Sequence, residues 1–527
     1  MQPNQTLRSA YHEMERDRSD WLEAGHRSAV LTIPSVQPRE GQSLQDLPQQ
    51  LQSVGARGVS NLVSKLSATL FPTTIPFLRL TISPAEKAAL VEQDARGSDP
   101  GRIVSEIEAS LQVIEQQAQS RFNTDGWRPA IATALRQLVV TGNCLIFDRP
   151  GGSNPVVVDL RRYVVERDPE GSLLRCVLKQ TISKADAESA LGFELTEAQM
   201  RTLGTPESGL TAAGGEKTLD LFTGCYRLED GRLGFHQEIA GIEIEGSYRV
   251  YREDECPLMP LRFVPVFGES YGRGFVEDLW GDLTVLSKIS QALAEASMIL
   301  SKVVFLARPG SSTKPNVIDR APNGAIVIGD GDDISAVQAD KSHDLSVSYN
   351  VRNDLVASLS KAFLLNSSVQ RQAERVTAEE ISVVARELED ALGSVYSALA
   401  DTVQKPIVEY LFSKMKREGD VTGLPDSVKP IVATGLEAIS RNHRAARISQ
   451  LLAAIQQVVP PQDLPTFLKV DNLVADLATS LNLPDELYVR SPEEIEQIRM
   501  AQQQQAAVET LGPEAMRQMG NAAPQES

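Results

Sequence analysis

Nine apolar residues, Ile381, Val384, Leu388, Leu392, Val395, Leu399, Val403, Ile407 and Leu411, recur at steps of three and four. That spacing places them on one face of an α-helix. Thr377 and Glu380, three apart and ahead of this face, match the capping box that marks a helix start. At about 1.5 Å rise per residue, a helix over 377–405 extends roughly 40 Å before Pro406 stops or kinks it. Directly before it lie Asn366, Ser367, Ser368, Gln370, Arg371, Gln372, Glu374 and Arg375. These residues offer hydrogen-bonding groups of both charge signs and almost no apolar anchor, so the segment faces solvent or a ligand. Periodicity alone also suits a coiled-coil dimer or the central helix of an all-α core.

A chain of 527 residues is too long for one compact core, and two to four domains are expected. No apolar run follows the N-terminal MQPNQTLRSAYHEMERDRSDW, so no secretory signal is predicted. The most hydrophobic stretch, 285–306, is interrupted by Lys288, Glu295 and Lys302, which argues against membrane insertion and for a soluble intracellular chain. Cys144, Cys176, Cys225 and Cys256 form no CxxC pair and sit in apolar or strand-like surroundings, as buried free thiols do. The histidines His12, His26, His236, His343 and His443 are equally scattered, so no metal and no cofactor are expected.

The pattern predicts an α+β chain, predominantly helical. Residues 1–148 read as mostly helix, with apolar spacing over 59–70, 103–118 and 127–140 and a break at 72–76. Residues 149–267 read as an antiparallel sheet, with short apolar runs separated by turns at 168–171 and 229–232. A helix at 184–203 and the loop 204–217 interrupt that sheet. Helix resumes over 275–306, gives way to a small insert through 347, and returns through 363. Helices are expected again over 428–459, 471–481 and 491–511, with a low-complexity end.

The sequence GESYG at 268–272 fits GxSxG between a strand-like and a helix-like run, the setting of a hydrolase nucleophile elbow. Ser270 is the nucleophile in that reading, with a carboxylate from 330–333 and His343 following. No HisGlyGly-type oxyanion motif precedes it, and no alternation of strands and helices supplies the parallel sheet that holds such a triad. A tight turn using Gly268, Gly272 and Gly274 accounts for the same residues. The sequence contains no GxxxxGK[ST] phosphate loop, so no nucleotide hydrolysis is expected of the chain itself.

Five blocks carry a resemblance: VGARGVSNLVSKLSATLFP at 54–72, LRQLVVTGNCLIF at 135–147, GESYGRGFVEDLWGDL at 268–283, LNSSVQRQAERVTAEEI at 365–381 and TGLEAISR at 434–441. In this order they resemble the portal, or head-to-tail connector, proteins of short-tailed bacteriophages of the podovirus and autographivirus type. The resemblance covers most of 1–490 and fades beyond Arg490. It implies a ring-forming portal fold with a wing (1–148 helical, 149–267 β-rich), a stem (268–306 and 348–364), and a clip (307–347). A tunnel loop (365–376), a long wing helix and connection (377–427), a crown (428–490) and a C-terminal helix and tail (491–527) complete it.

The function implied is a dodecameric channel at one capsid vertex that nucleates the procapsid, passes double-stranded DNA, and joins head to tail. Implied partners are other copies of the chain, DNA, the terminase large subunit, scaffolding protein, major capsid protein, tail adaptor and tail proteins, and internal core proteins. The implied place is the virion, after assembly in the host bacterial cytoplasm. The formal charge of −18 argues against a protein that wraps DNA, because phosphate affinity comes from Lys and Arg. Twelve copies carry 12 × −18 = −216, and an acidic wall suits a channel through which DNA slides; a solvated acidic surface accounts for the charge equally well. Within the tunnel loop, Arg371 and Arg375 are candidates for phosphate contact, with ion pairs to Glu374, Glu379 or Glu380 as the alternative. Two other functions remain open: a serine hydrolase using Ser270, or a helical scaffold without a channel.

Overall fold

The computed structural model describes residues 6–73, 76–81, 100–152, 154–192, 218–239, 241–300, 304–310, 330–337, 342–365, 378–421 and 429–432, with isolated positions elsewhere. The chain divides into one unit of residues 1–93 and 111–434 and another of residues 94–110 and 435–527. In the second unit the described residues are 100–110, which are helical, and positions 451, 455 and 500. The expected helices beyond 433 otherwise lie outside the described residues.

The first unit opens with α1 (Leu7–Glu15) and α2 (Ser19–Leu31). Thr6 caps α1 by accepting a hydrogen bond from Ser9 N. The apolar face of α1, Leu7, Ala10, Tyr11 and Met14, packs on Val164, Val177 and Phe222. Next come α3 (Val54–Leu70), β1 (Leu78–Thr81), α4 (Pro100–Thr124), α5 (Trp127–Thr141) and β2 (Asn143–Phe147). Strands β1 and β2 are short extended segments in this first part, predicted as mostly helix. Gly142 ends α5 in the left-handed region at φ 79°, and a Cβ there would meet the backbone of residues 272–274 at 2.5–2.6 Å. Only glycine permits that close passage, and the chain leaves it directly as a fully buried strand.

The β-rich part follows as expected: β3 (Val156–Val158), β4 (Tyr163–Arg167), β5 (Leu173–Ser183), α6 (Lys184–Leu191), β6 (Thr218–Arg227), β7 (Leu233–Ile239), β8 (Ile242–Glu243), β9 (Arg249–Tyr251) and β10 (Leu258–Arg262). All pairings are antiparallel: β10-β2-β3 form one sheet, and β4-β5-β6-β7-β8 another in which β9 also pairs with β7. The 168–171 turn is closed by Asp168, whose carboxylate accepts from Ser172 N at 2.7 Å. Gly231 takes φ 83° in the other predicted turn. Helix α6 is shorter than expected because Gly192 ends it at φ 75°; the remainder of 193–217 lies outside the described residues. All four cysteines are buried and free.

A 3₁₀ turn, Phe275–Leu279, leads into α7 (Trp280–Leu300), then β11 (Val304–Ala307), β12 (Ile334–Val337) and α8 (Ser342–Ala362). The helix predicted to reach Leu306 has thus given way to strand by Val304. Val304 and Phe305 favour the extended state, and β11 pairs antiparallel with β12. Helices α7 and α8 pack against each other.

The predicted rod is three helices: α9 (Ala378–Leu392), α10 (Ser394–Leu399) and, after a π-turn at Ala400–Gln404, α11 (Lys405–Glu418). Gly393, at φ 54° and ψ −129°, breaks the first joint in a conformation open to glycine alone. At the second joint the π-turn re-routes the hydrogen bonds, so Pro406 begins a helix where it was expected to end one. The apolar face itself is as read: Leu388, Leu392, Leu399, Val403, Ile407 and Leu411 are buried. Finally β13 (Lys429–Val432) pairs with β1, which makes a strand of the start of the helix expected from 428. Among the described residues no helix is long and apolar enough to cross a membrane.

Candidate functional site

The polar residues predicted to face a ligand, Asn366 through Arg375, and the cap Thr377 lie outside the described residues. What is described is the point from which that segment departs. Helix α8 closes with Leu364 N donating to Lys361 O at 3.1 Å and Leu365 N to Ser360 O at 2.8 Å. The second bond spans five residues, the pattern that ends a helix through one left-handed residue. Leu364 is that residue: at φ 56° it is the one non-glycine with positive φ among the described residues. A branched side chain there costs about 1–2 kcal/mol relative to a right-handed residue, so the surroundings must hold it.

Helix α3 does so. Asn61 Nδ2 donates to Phe363 O at 3.0 Å and to Leu364 O at 2.9 Å. Lys65 Nζ donates to Leu364 O at 3.1 Å and pairs with Glu387 Oε2 on α9 at 2.9 Å. One lysine thus ties the residue just before the polar segment to the helix just after it. Beneath them Gly58 lets the Phe363 ring lie on the α3 backbone, since a Cβ would meet that ring at 2.4 Å. Phe363 in turn meets Phe275 edge to face at 5.6 Å between centroids. Sequence reasoning missed Asn61 and Lys65. A signal existed: two polar residues four apart beside the buried Leu62 and Leu66, but their partners are backbone carbonyls about three hundred residues away.

A second feature concerns the arm made of α7, β11, β12 and α8. Val285, Met298, Val347 and Tyr349 on its helices are exposed, and Ile326 and Ile328 between its strands are 98% and 96% exposed. The described residues of this arm thus hold several large apolar side chains in the open.

In the GxSxG segment the described hydrogen bonds of Ser270 and Tyr271 serve the turn. Ser270 Oγ accepts a hydrogen bond from Arg167 N at 3.2 Å, and Tyr271 OH accepts from Val165 N at 3.0 Å, so both residues fasten the 268–272 turn to β4. The adjoining cavity, about 300 Å³, is lined by Glu13, Asp17, Trp21, Glu166 and Arg175 among others, with no histidine in its lining. Arg273 joins the turn to Glu269 and Glu277 at 2.9 and 2.8 Å.

The family model for the bacteriophage head to tail connecting protein matches residues 4–488. This chain belongs to that family. The head-to-tail connecting chains it matches include the portal protein of Escherichia phage T7, 35% identical over 535 residues, covering 97% of this chain and 95% of the relative. The portal protein of Enterobacteria phage T3 is 34% identical, covering 91% of this chain and 88% of the relative. That of Enterobacteria phage SP6 is 28% identical, covering 95% and 93%. The expectation of a viral portal of the short-tailed phage type is met at the level of this family. The α+β fold expected of such a connector is the one observed, with antiparallel sheets set among helices.

Proposed function

We propose that the chain assembles as a homododecameric ring at one capsid vertex, nucleates the procapsid, admits double-stranded DNA during packaging, and later joins the head to a short tail. The observation that carries this reading is the family match across residues 4–488, with curated portal proteins aligned over nearly the whole chain. The exposed apolar residues of the α7–α8 arm support it, since neighbouring copies packed side by side would bury them. In this reading 268–306 and 348–364 form the stem, 307–347 the clip, and 428–490 the crown. The segment 365–376 is the tunnel loop.

Mechanism then follows from geometry and charge. The stem sets the bore, and the clip docks the terminase large subunit and afterwards the tail adaptor and tail proteins. The crown meets internal core proteins; scaffolding protein and major capsid protein surround the ring during assembly in the bacterial cytoplasm. Asn366, Ser367, Ser368, Gln370, Arg371, Gln372, Glu374 and Arg375 face the DNA from a loop whose root is held by Asn61 and Lys65. Arg371 and Arg375 touch phosphates in any register, because a guanidinium reads no sequence there. Energy for translocation comes from the motor.

Two measurements test the reading. Twelve copies of a 57.4 kDa chain give a particle of roughly 690 kDa by native mass spectrometry if the assembly is a closed dodecamer. Arg371→Ala is expected to leave that mass unchanged while lowering DNA retention in packaged heads. Loss of the particle itself would make Arg371 structural and contradict its placement in the channel.

A further inference from the structure

Two arginines near the 168–172 turn stand out in a chain with 70 acidic and 52 basic residues. Arg167, at the end of β4, donates from Nη1 to Gly171 O at 2.9 Å and from Nη2 to Pro260 O at 2.6 Å. Its Nε is buried without an acceptor. Arg262, at the end of β10, lies against the same turn: its Nη2 is 2.7 Å from where a Cβ on Gly171 would sit, and its Nη1 donates to Glu269 O at 3.0 Å. Among the described residues neither guanidinium has a carboxylate within ion-pair distance. Burial, and then the charge of Arg167, push Arg262 down to about 10 from the usual arginine range. Adjacent like charges held by carbonyls alone are an arrangement that an anion relieves.

The free part of Arg262 narrows the ligand. Nε and Nη2 carry no hydrogen bond among the described residues and are not buried. These two N–H groups lie on one edge of the guanidinium, the fork that takes a carboxylate side-on through both oxygens. Of the two carboxylates that flank Arg167 in sequence, Glu166 pairs with Arg175 and Asp168 is engaged with the N–H groups of its own turn. Glu269 pairs with Arg273, and Glu253 with Arg227 at 2.9 Å. The half-buried Asp168 and the exposed Glu170 flank the site, so a strand of phosphates laid across it meets two like charges, whereas one carboxylate fits the fork.

We propose that Arg262, backed by Arg167, is an oxyanion site that receives an aspartate or glutamate side chain from a neighbouring copy of this chain. The proposal rests on the ring reading above. Its role is to fix the register of one subunit's β-rich part against the next, since a two-point carboxylate–guanidinium pair tolerates little rotation. The source of the carboxylate is a second copy because each copy carries 70 acidic against 52 basic residues and so brings carboxylates that lack a cation of their own.

The test is a map of the assembled, full-length wild-type protein at a resolution that shows side chains. The expected result is a carboxylate of the adjacent copy within about 2.7–2.9 Å of Arg262 Nε and Nη2. An assembled ring in which Arg262 faces solvent, a DNA phosphate or an adventitious ion only would overturn the proposal and leave the ring reading standing. Absence of any ring would instead defeat the ring reading, and the proposal with it. Arg262→Gln should lower the NaCl concentration at which half the assembly dissociates by at least about twofold, with Arg262→Lys in between because it keeps charge but loses the fork. Circular dichroism of each variant separates this from misfolding. Unchanged salt tolerance in a folded Arg262→Gln protein would also overturn the proposal.

Discussion

Leu364 occupies a left-handed backbone that helix ends usually give to glycine, so its neighbours must repay the strain through Asn61, Lys65 and the Phe363 contact. Leu364→Gly is expected to leave stability unchanged or raise it by about 1 kcal/mol, while Leu364→Val lowers it by about 2 kcal/mol. Denaturant unfolding of the full chain would order the two, and the reverse order would contradict the strain. A pH effect sits on β7. Burial holds His236 below the usual histidine range, so the folded chain keeps it neutral while the unfolded chain protonates it near pH 6.5. Its contribution is therefore complete above that pH and is lost on acidification. Burial raises the Glu238 carboxyl, whose effect has the opposite sign because the folded chain takes up that proton first. Melting temperatures between pH 7.5 and 5 should fall less in His236→Gln than in wild type; equal falls would show that His236 does not titrate differently on unfolding. At this scale the apolar positions could be read from their spacing. Asn61 and Lys65 could not, because their partners are carbonyls brought in by the fold.

At the scale of elements, the stretch from 378 to 418 shows what periodicity conveys and what it hides. The buried face from Leu388 to Leu411 runs on through both joints, which is why one rod was expected. A glycine within a helical pattern is compatible with continuous helix, and Gly393 breaks it only through its φ and ψ, which no spacing encodes. Gly393→Ala is expected to cost about 1–3 kcal/mol, because alanine cannot hold that conformation without strain. A stabilising Gly393→Ala, seen as a higher melting temperature, would mean that α9 and α10 fuse at no cost. Strands β11 and β13 were read as helix for a related reason: short apolar runs look alike in either state, and each is settled by its partner, β12 or β1. The β-rich part, by contrast, could be read from turns at 168–171 and 229–232 that take the conformations their residues favour.

At the scale of the whole molecule, the family was legible because long blocks recur in order along the chain, and the match over 4–488 agrees. Assembly was less legible, since the surfaces that decide it meet only in another copy. In the proposed ring, the exposed apolar residues of the α7–α8 arm and the half-open guanidinium of Arg262 would be their traces on one chain. The central claim is that this chain closes into a ring around a channel. Electron microscopy of the purified protein with two-dimensional class averaging tests it most directly, because one set of images reports oligomer, symmetry and pore together. The account predicts rings of about twelve subunits with an axial opening. A monomer, a dimer or an elongated oligomer without a pore, under conditions that permit assembly, would contradict it.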